Sequence, residues 1–580
     1  MSLLAALARA YDRLPDAPPY GFSSEKIGFC VVLNPDGTVA EKINDLRDTD
    51  KKRSPRMLLV PQAVKRTAGI APNFLWDKSA YVLGVTAGEG KRTADEHAKF
   101  RAQHLEWLAG TEDAGLLALC RFLESWVPEA FVAPLWDDAT RDQNIVFRLA
   151  GEYGFLHERP EAHSLWRRIG ATGASDPQIC LVTGDPGPVA RLHPSIKGVW
   201  GAQSSGASLI SFNLDAFTSY GHDQGDNAPV SEAAAFAYTT ALNRFLEKDS
   251  GHRIQIGDAS TVFWADAGAA LAEEAESFFA AFLDPAASDK ASASKIEGKL
   301  EAIRNGTRLN QIAPDLEGVP FHVLGLSPNA ARLSVRFYWS SNFGTLTENY
   351  QRFLADTNVQ PPPREGWPPL WRYLIELAVQ GKRENVPPLI AGDWMRSILT
   401  GAAYPLTLLS TTLMRIRADG EVSPLRAAIL KSVLIRNFNK EAPVALDPEF
   451  KESKGYLLGR LFAAYEQVQR AALGGNVNAT IKDKFYGAAS ASPQKVFATL
   501  NSGAQNHFTK LRKVNPGWAF NLDELIRSIL DQMSPANDPI PAFLSAPEQG
   551  MFGLGYYHQR SEFFRKRDDK TEDTDSETIA

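Results

Sequence analysis

Cysteine is nearly absent. The 580 residues contain three, Cys30, Cys120 and Cys180, far apart and each in apolar surroundings. That spacing excludes a disulfide framework and a paired-thiolate metal knuckle, and it sets the expectation of a reducing, cytoplasmic setting. Histidine is also scarce, at ten residues. No HExxH, CxxC or Ser-His-Asp constellation stands out, so the case for an enzyme is thin and no cofactor is expected. No run reaches the roughly 18 apolar residues a membrane helix requires. The opening segment, MSLLAALARAYDRLPD, lacks a basic n-region and a cleavage site, and reads as a first helix rather than a signal peptide.

Two near-motifs fail on chemistry. GVTAGEGKRT (84–93) approaches a phosphate-binding loop, but Val85 stands where the first glycine belongs and Arg92 where a magnesium-binding hydroxyl belongs. His222–Asp223 is an HD pair, the seed of a metal-dependent nuclease. Two ligands cannot hold a hydrolytic metal, and nothing in the setting of His193 or Asp258 joins them to the pair.

What the chain does have is bulk apolar material and unevenly spread charge. Hydrophobic residues make up 44% and charged residues 22%, with 31 Phe and 12 Trp, enough for large cores. Net charge is −6, yet residues 51–66 (KKRSPRMLLVPQAVKR) carry six basic residues and no acidic one. Residues 396–520 carry 17 Lys and Arg against 8 Asp and Glu. Polyanion binding follows local surplus rather than the total.

Strand patterns are expected at 27–33, with a return after NPDGTV, and at 56–66, 79–85, 143–151, 179–183, 207–213 and 261–266, with two more around a turn in 321–339. Helical spacing runs through 94–127, and a helix capped by Ser231 follows. Prolines stack at 359–371 and 384–389. Beyond them, 392–535 is helical in pattern. The expected fold is therefore α+β: a mixed α/β N-terminal region over 1–385, an all-helical C-terminal domain over 386–564, and a disordered charged tail over 565–580.

One stretch fits neither class of motif. GAQSSGASLISF (201–212) passes without a charge, and its first eight residues are all small except Gln203. Such a loop either packs tightly under something or approaches a ligand by its backbone.

Several blocks together resemble a known family. They are LLVPQAVKRTAGIAPNFLWDKSAYVLG (58–84), RLHPSIKGVWGAQSSGASLISFNLDAFTSYG (191–221), NAPVSEAAAFAYTTALN (227–243), LGLSPNAARLSVRFYW (324–339), NATIKDKFYGAASASP (478–493) and GYYHQR (555–560). As a set they resemble the large subunit of the type I-C CRISPR surveillance complex, Cascade. The resemblance implies a non-catalytic role in RNA-guided DNA recognition. The partners it implies are crRNA, double-stranded target DNA, the Cascade backbone and crRNA-end-binding subunits, and a nuclease-helicase recruited for cutting. It also implies a small subunit from internal translation of the same gene, with Met395 and Met414 as visible starts, and phage anti-CRISPR proteins as antagonists. No membrane is involved. On this reading the subunit recognises the protospacer-adjacent motif (PAM) and helps part the strands, while guide pairing reads sequence.

Carried onto residues, Lys65, Arg66 and Lys197 are expected at phosphates. Asn73, Gln203 and Asn213 are expected at base edges, with Gly201, Ser204 and Ser205 letting the backbone come close. Phe74 is either an apolar wedge or a core anchor, and Trp76 a core residue. Lys431, Arg436, Arg460, Lys482 and Lys484 are candidates for the displaced-strand path.

Overall fold

The computed structural model describes residues 2–15, 17–40, 43–49, 53–64, 66, 69–172, 177–212, 214–283, 290–474 and 479–565. The expected tail, apart from Arg565, lies outside them, as do Lys65 and Asn213. The chain forms two compact units: Met1–Ile196 with Ser205–Arg244, and Lys197–Ser204 with Phe245–Ala580.

The first unit is built on a four-stranded sheet. Its strands are β1 (Phe22–Ile27), β2 (Phe29–Leu33), β3 (Asn44–Asp45), β4 (Arg56–Pro61), β5 (Trp76–Lys78) and β6 (Asn144–Leu149), of which the sheet takes the order β3-β2-β6-β5. β2 and β6 pair in parallel, Phe29 opposite Ile145. Every residue of β2, FCVVL, is buried, as a strand covered on both faces must be. One face receives the helices Thr93–Trp107 and Ala114–Ser125, the second presenting Leu116, Leu119, Phe122 and Leu123 at helical spacing. Asp113 caps that helix, accepting from the Leu116 N–H at 3.0 Å. The other face meets the β1–β4 ribbon through Ile27, Val60, Cys30, Trp76 and Val146. A short pair, β7 (Pro177–Ile179) and β8 (Pro186–Pro188), precedes the helix Glu232–Leu246. Ser231 caps it as expected, its Oγ accepting from the Ala234 N–H at 3.3 Å.

Four expected strands give way to turns, the 179–183 run among them, which pairs only at Ile179 and turns through 181–183. Residues 79–82 form a one-turn helix, because the Ser79 hydroxyl bonds the Val85 carbonyl and accepts from the Asp142 N–H, both at 2.8 Å, closing the backbone on itself. The return after Leu33 is a single bridge to Val39. Ala207 pairs only with Ile196. On one side of that pair Pro194 has no N–H to donate, and on the other Gly198 sits at φ +84.

The second unit has an antiparallel sheet in the order β12-β11-β10-β9, from β9 (Arg253–Ile256), β10 (Ala259–Ala265), β11 (Pro320–Asn329) and β12 (Arg332–Asn342). Phe263, Phe321, Val323, Phe337 and Trp339 face a core shared with the helices Ala269–Leu283 and Phe343–Thr357. From Leu370 onward the described regular elements are all helical. The same core continues through Trp394, Leu430, Tyr456 and Tyr556, so the proline-rich stretches end helices without dividing the packing. Helices Lys454–Leu473 and Ala546–Glu562 touch backbone to backbone. A Cβ on Gly459 would lie 2.1 Å from the Phe552 carbonyl oxygen, which only glycine avoids.

Candidate nucleic-acid interface

The segment Lys197–Ser204 belongs to the second unit, where it is anchored to the sheet. Val199 is buried. The Gly198 carbonyl accepts from the Arg253 guanidinium at 2.9 Å, and a Cβ on Gly198 would meet the Leu246 carbonyl oxygen at 2.7 Å. The Trp200 N–H donates to the Ser260 Oγ on β10 at 2.9 Å. Val199–Ala202 closes a turn, the Ala202 N–H donating to the Val199 carbonyl at 3.1 Å, with Gly201 at φ +78 in its third position. The anchored backbone leaves Lys197, Trp200, Gln203 and Ser204 exposed. Ser205, in the first unit, is exposed as well. The segment is therefore a surface loop held by its backbone. The run from Pro186 to Leu214 contains no acidic residue, which leaves the sequence around this loop free of charge that repels phosphate.

The Asn73 loop is put to other use. Asp77 is almost fully buried and accepts from the Asn73 N–H and the Lys78 N–H, each at 2.8 Å, and from the Arg66 guanidinium. Burial pushes its carboxyl up, and Arg66 opposes the rise. Arg66 also donates to the Ala71 carbonyl at 2.7 Å and covers the Tyr81 ring at 4.1 Å. The Asn73 Oδ1 accepts from the Val64 N–H at 2.9 Å. Asn73 is thus a clamp of the loop rather than a group presented to a base, while Arg66 is engaged by Asp77 and Ala71 and remains exposed. Phe74 is 0% exposed and stacks on Trp166 at 5.4 Å between ring centres, with the Trp107 ring edge-on at 5.6 Å. Of the two readings of Phe74, the core anchor holds and the wedge does not. Trp76 is core as expected, its indole donating to the Pro61 carbonyl at 2.8 Å.

Three of the five displaced-strand candidates are buried. Lys431 donates to the Ala355 and Asp356 carbonyls, both 3.2 Å, at the C-terminus of Phe343–Thr357, and burial pushes its amine down to about 8. Arg436 lies 2.5 Å from the Asp356 carboxylate and over the Tyr404 ring. Arg460 donates to Gln559 at 3.1 Å and to the Pro448 carbonyl at 2.9 Å. These cations hold helices together, which pairing and hydrogen bonding make affordable in a core. Lys482 is half-buried, its amine pushed down by burial and then by Arg560. Lys484 is exposed.

The local surplus instead surfaces on the helix Gln494–Val514. Residues 484–522 contain no acidic side chain, and Lys484, Lys495, Lys510, Arg512 and Lys513 are all exposed. In the sequence this acid-free run lies mostly within the longer segment 396–520, whose other part mixes both signs of charge. Trp200 is a further exposed side chain of the loop, a tryptophan set among glycines and small residues.

His222 and Asp223 are exposed. The His193 ring is engaged by the Tyr238 hydroxyl at 2.6 Å, and Asp258 by Arg336 at 2.6 Å. Among the described residues no group of three or more His, Cys, Asp or Glu is placed to hold a metal ion. No described helix is long and apolar enough to cross a membrane.

A search of proteins with curated descriptions finds no match. The profile of CRISPR-associated protein (Cas_Csd1), in contrast, matches residues 7–564, nearly the whole chain and both of its units. The protein is therefore a member of the Cas_Csd1 family of CRISPR-associated proteins.

Proposed function

We propose that this chain is the non-catalytic large subunit of a type I-C CRISPR RNA-guided surveillance complex, which recognises the PAM in duplex DNA, assists strand separation and stabilises the resulting R-loop. The observation that carries the reading is the anchored loop Lys197–Ser204, with Gln203 and Ser204 exposed on a fixed backbone beside Lys197. A glutamine side chain both donates and accepts, as a base edge requires, and small neighbours let the backbone follow a groove. The acid-free helix Gln494–Val514 supports contact with the displaced strand, because single-strand binding sums many phosphate contacts. Cutting falls to a separate nuclease-helicase. The partners are crRNA, the backbone subunits and target DNA.

The test compares two targets of identical sequence, one closed duplex with the PAM and one already opened. Gln203→Ala in the assembled complex weakens binding to the closed target about fivefold or more and leaves the opened target within about twofold, since a good base contact is worth ~1–3 kcal/mol. Equal losses on both targets refute PAM reading by this loop.

A further inference from the structure

With Phe74 buried, no aromatic side chain remains where strand parting was expected. The Lys197–Ser204 loop supplies one. Trp200 is 59% exposed, although an indole is among the most rewarding side chains to bury. Its exposure follows from its anchoring. The residue before it is buried, and its own N–H is tied to Ser260. Gly201, at φ +78 with its Cα side against Pro328, turns the chain away immediately afterwards. The indole occupies the second position of a closed turn whose backbone is pinned on both sides, which fixes the direction in which its Cα–Cβ bond leaves the chain. Its sequence neighbours are the cation Lys197 and the uncharged Gln203, Ser204 and Ser205.

We propose that Trp200 is the positioning residue for strand opening: its indole stacks on a nucleobase of the first base pair beside the PAM and holds that base out of the duplex. The inference rests on the function proposed above and adds the stacking residue to it. A nucleobase is the occupant the site favours over an apolar protein pocket. The surrounding run carries a lysine and no carboxylate, which suits a phosphate chain, and a planar ring on a rigid turn matches the planar face every base offers. Exposed stacking platforms of this kind are sequence-tolerant, so base reading is left to Gln203.

The experiment uses the full chain in its assembled complex and a duplex whose flank is the one the wild-type complex selects from a randomised pool. 2-Aminopurine replaces the base of the first pair beside that flank, and its fluorescence changes when the base leaves the stack. Trp200→Ala is expected to abolish the fluorescence change and to weaken closed-duplex binding about fivefold or more, the fold-change that loss of one base–aromatic stack produces. Trp200→Phe is expected to keep the signal and stay within about threefold, and both variants should bind like wild type a pre-opened target that is abasic at that position. A normal fluorescence change with Trp200→Ala overturns the proposal. So does equal weakening on both targets, or loss of a protein subunit from the purified complex, which would mark a protein contact. Gln203→Ala separates the two claims: if it lowers closed-duplex affinity while Trp200→Ala does not, the loop reads DNA without stacking. If neither variant has an effect, the proposed function itself fails.

Discussion

Phe74→Ala discriminates sharply between a DNA wedge and a core anchor, because the two roles predict opposite measurements. The ring is fully buried, stacked on Trp166 and edge-on to Trp107, and the next residue, Leu75, donates its N–H to the His104 Nε2 at 2.9 Å. Removing it deletes the transfer energy of a phenyl ring and leaves a cavity among groups held by other bonds, a loss of about 3–5 kcal/mol. The loss falls on the first unit. With a urea dependence of about 2–3 kcal/mol per molar, its unfolding midpoint drops by roughly 1–2.5 M. Pulse proteolysis of the full chain across a urea series, with fragments assigned by mass spectrometry, reads that unit separately from the second. Phe74→Leu, which keeps much of the volume, falls in between. An unchanged midpoint together with selective loss of closed-duplex binding would refute the burial argument and restore the wedge.

Other outcomes follow from the same geometry. His104, His157 and His558 are each pushed down to about 4, chiefly by burial, so the unfolded chain binds their protons first as pH falls. Stability is present above the unfolded value near 6.5 and is lost on acidification through about 4, by about 2 kcal/mol per histidine at pH 5. The drop in Tm between pH 7 and pH 5 should shrink in His104→Gln. Arg436→Ala strands the buried Asp356 carboxylate and costs about 3–5 kcal/mol of stability in the second unit; under native conditions single-strand affinity stays unchanged, by fluorescence anisotropy of a labelled oligonucleotide. Reversing Lys495, Lys510 and Lys513 to Glu leaves stability within about 1 kcal/mol and lowers the slope of log affinity against log salt by at least about 2. An unaltered slope removes that helix from the displaced-strand path.

The elements that declared themselves in the sequence are those whose pattern is local. β2 and β10 are short apolar runs between turn residues, Ala114–Ser125 repeats leucines at helical spacing, and Ser231 stands directly before an apolar helix. Residues 79–85 looked like a strand because Tyr81, Val82, Leu83 and Val85 have the right composition; one serine hydroxyl bonding across the loop made a turn instead. The site was legible only in part. Gly201, Gln203 and Ser204 are exposed on an anchored loop, as a backbone-led approach to a ligand needs. Asn73, Phe74, Lys431, Arg436 and Arg460 have the composition of DNA contacts, but their side chains are spent inside the protein.

By itself, the sequence determined the α+β class, the helical character of its C-terminal part and, through long ordered blocks, kinship to a CRISPR-associated family. These follow from periodicity and block order, which are properties of the chain. Only the tertiary structure decided which cations and aromatics face water. A lysine reads the same in a sequence whether it meets a phosphate or, like Lys431, the carbonyl end of a buried helix. The difference depends on partners 75 or more residues away, brought into reach by packing.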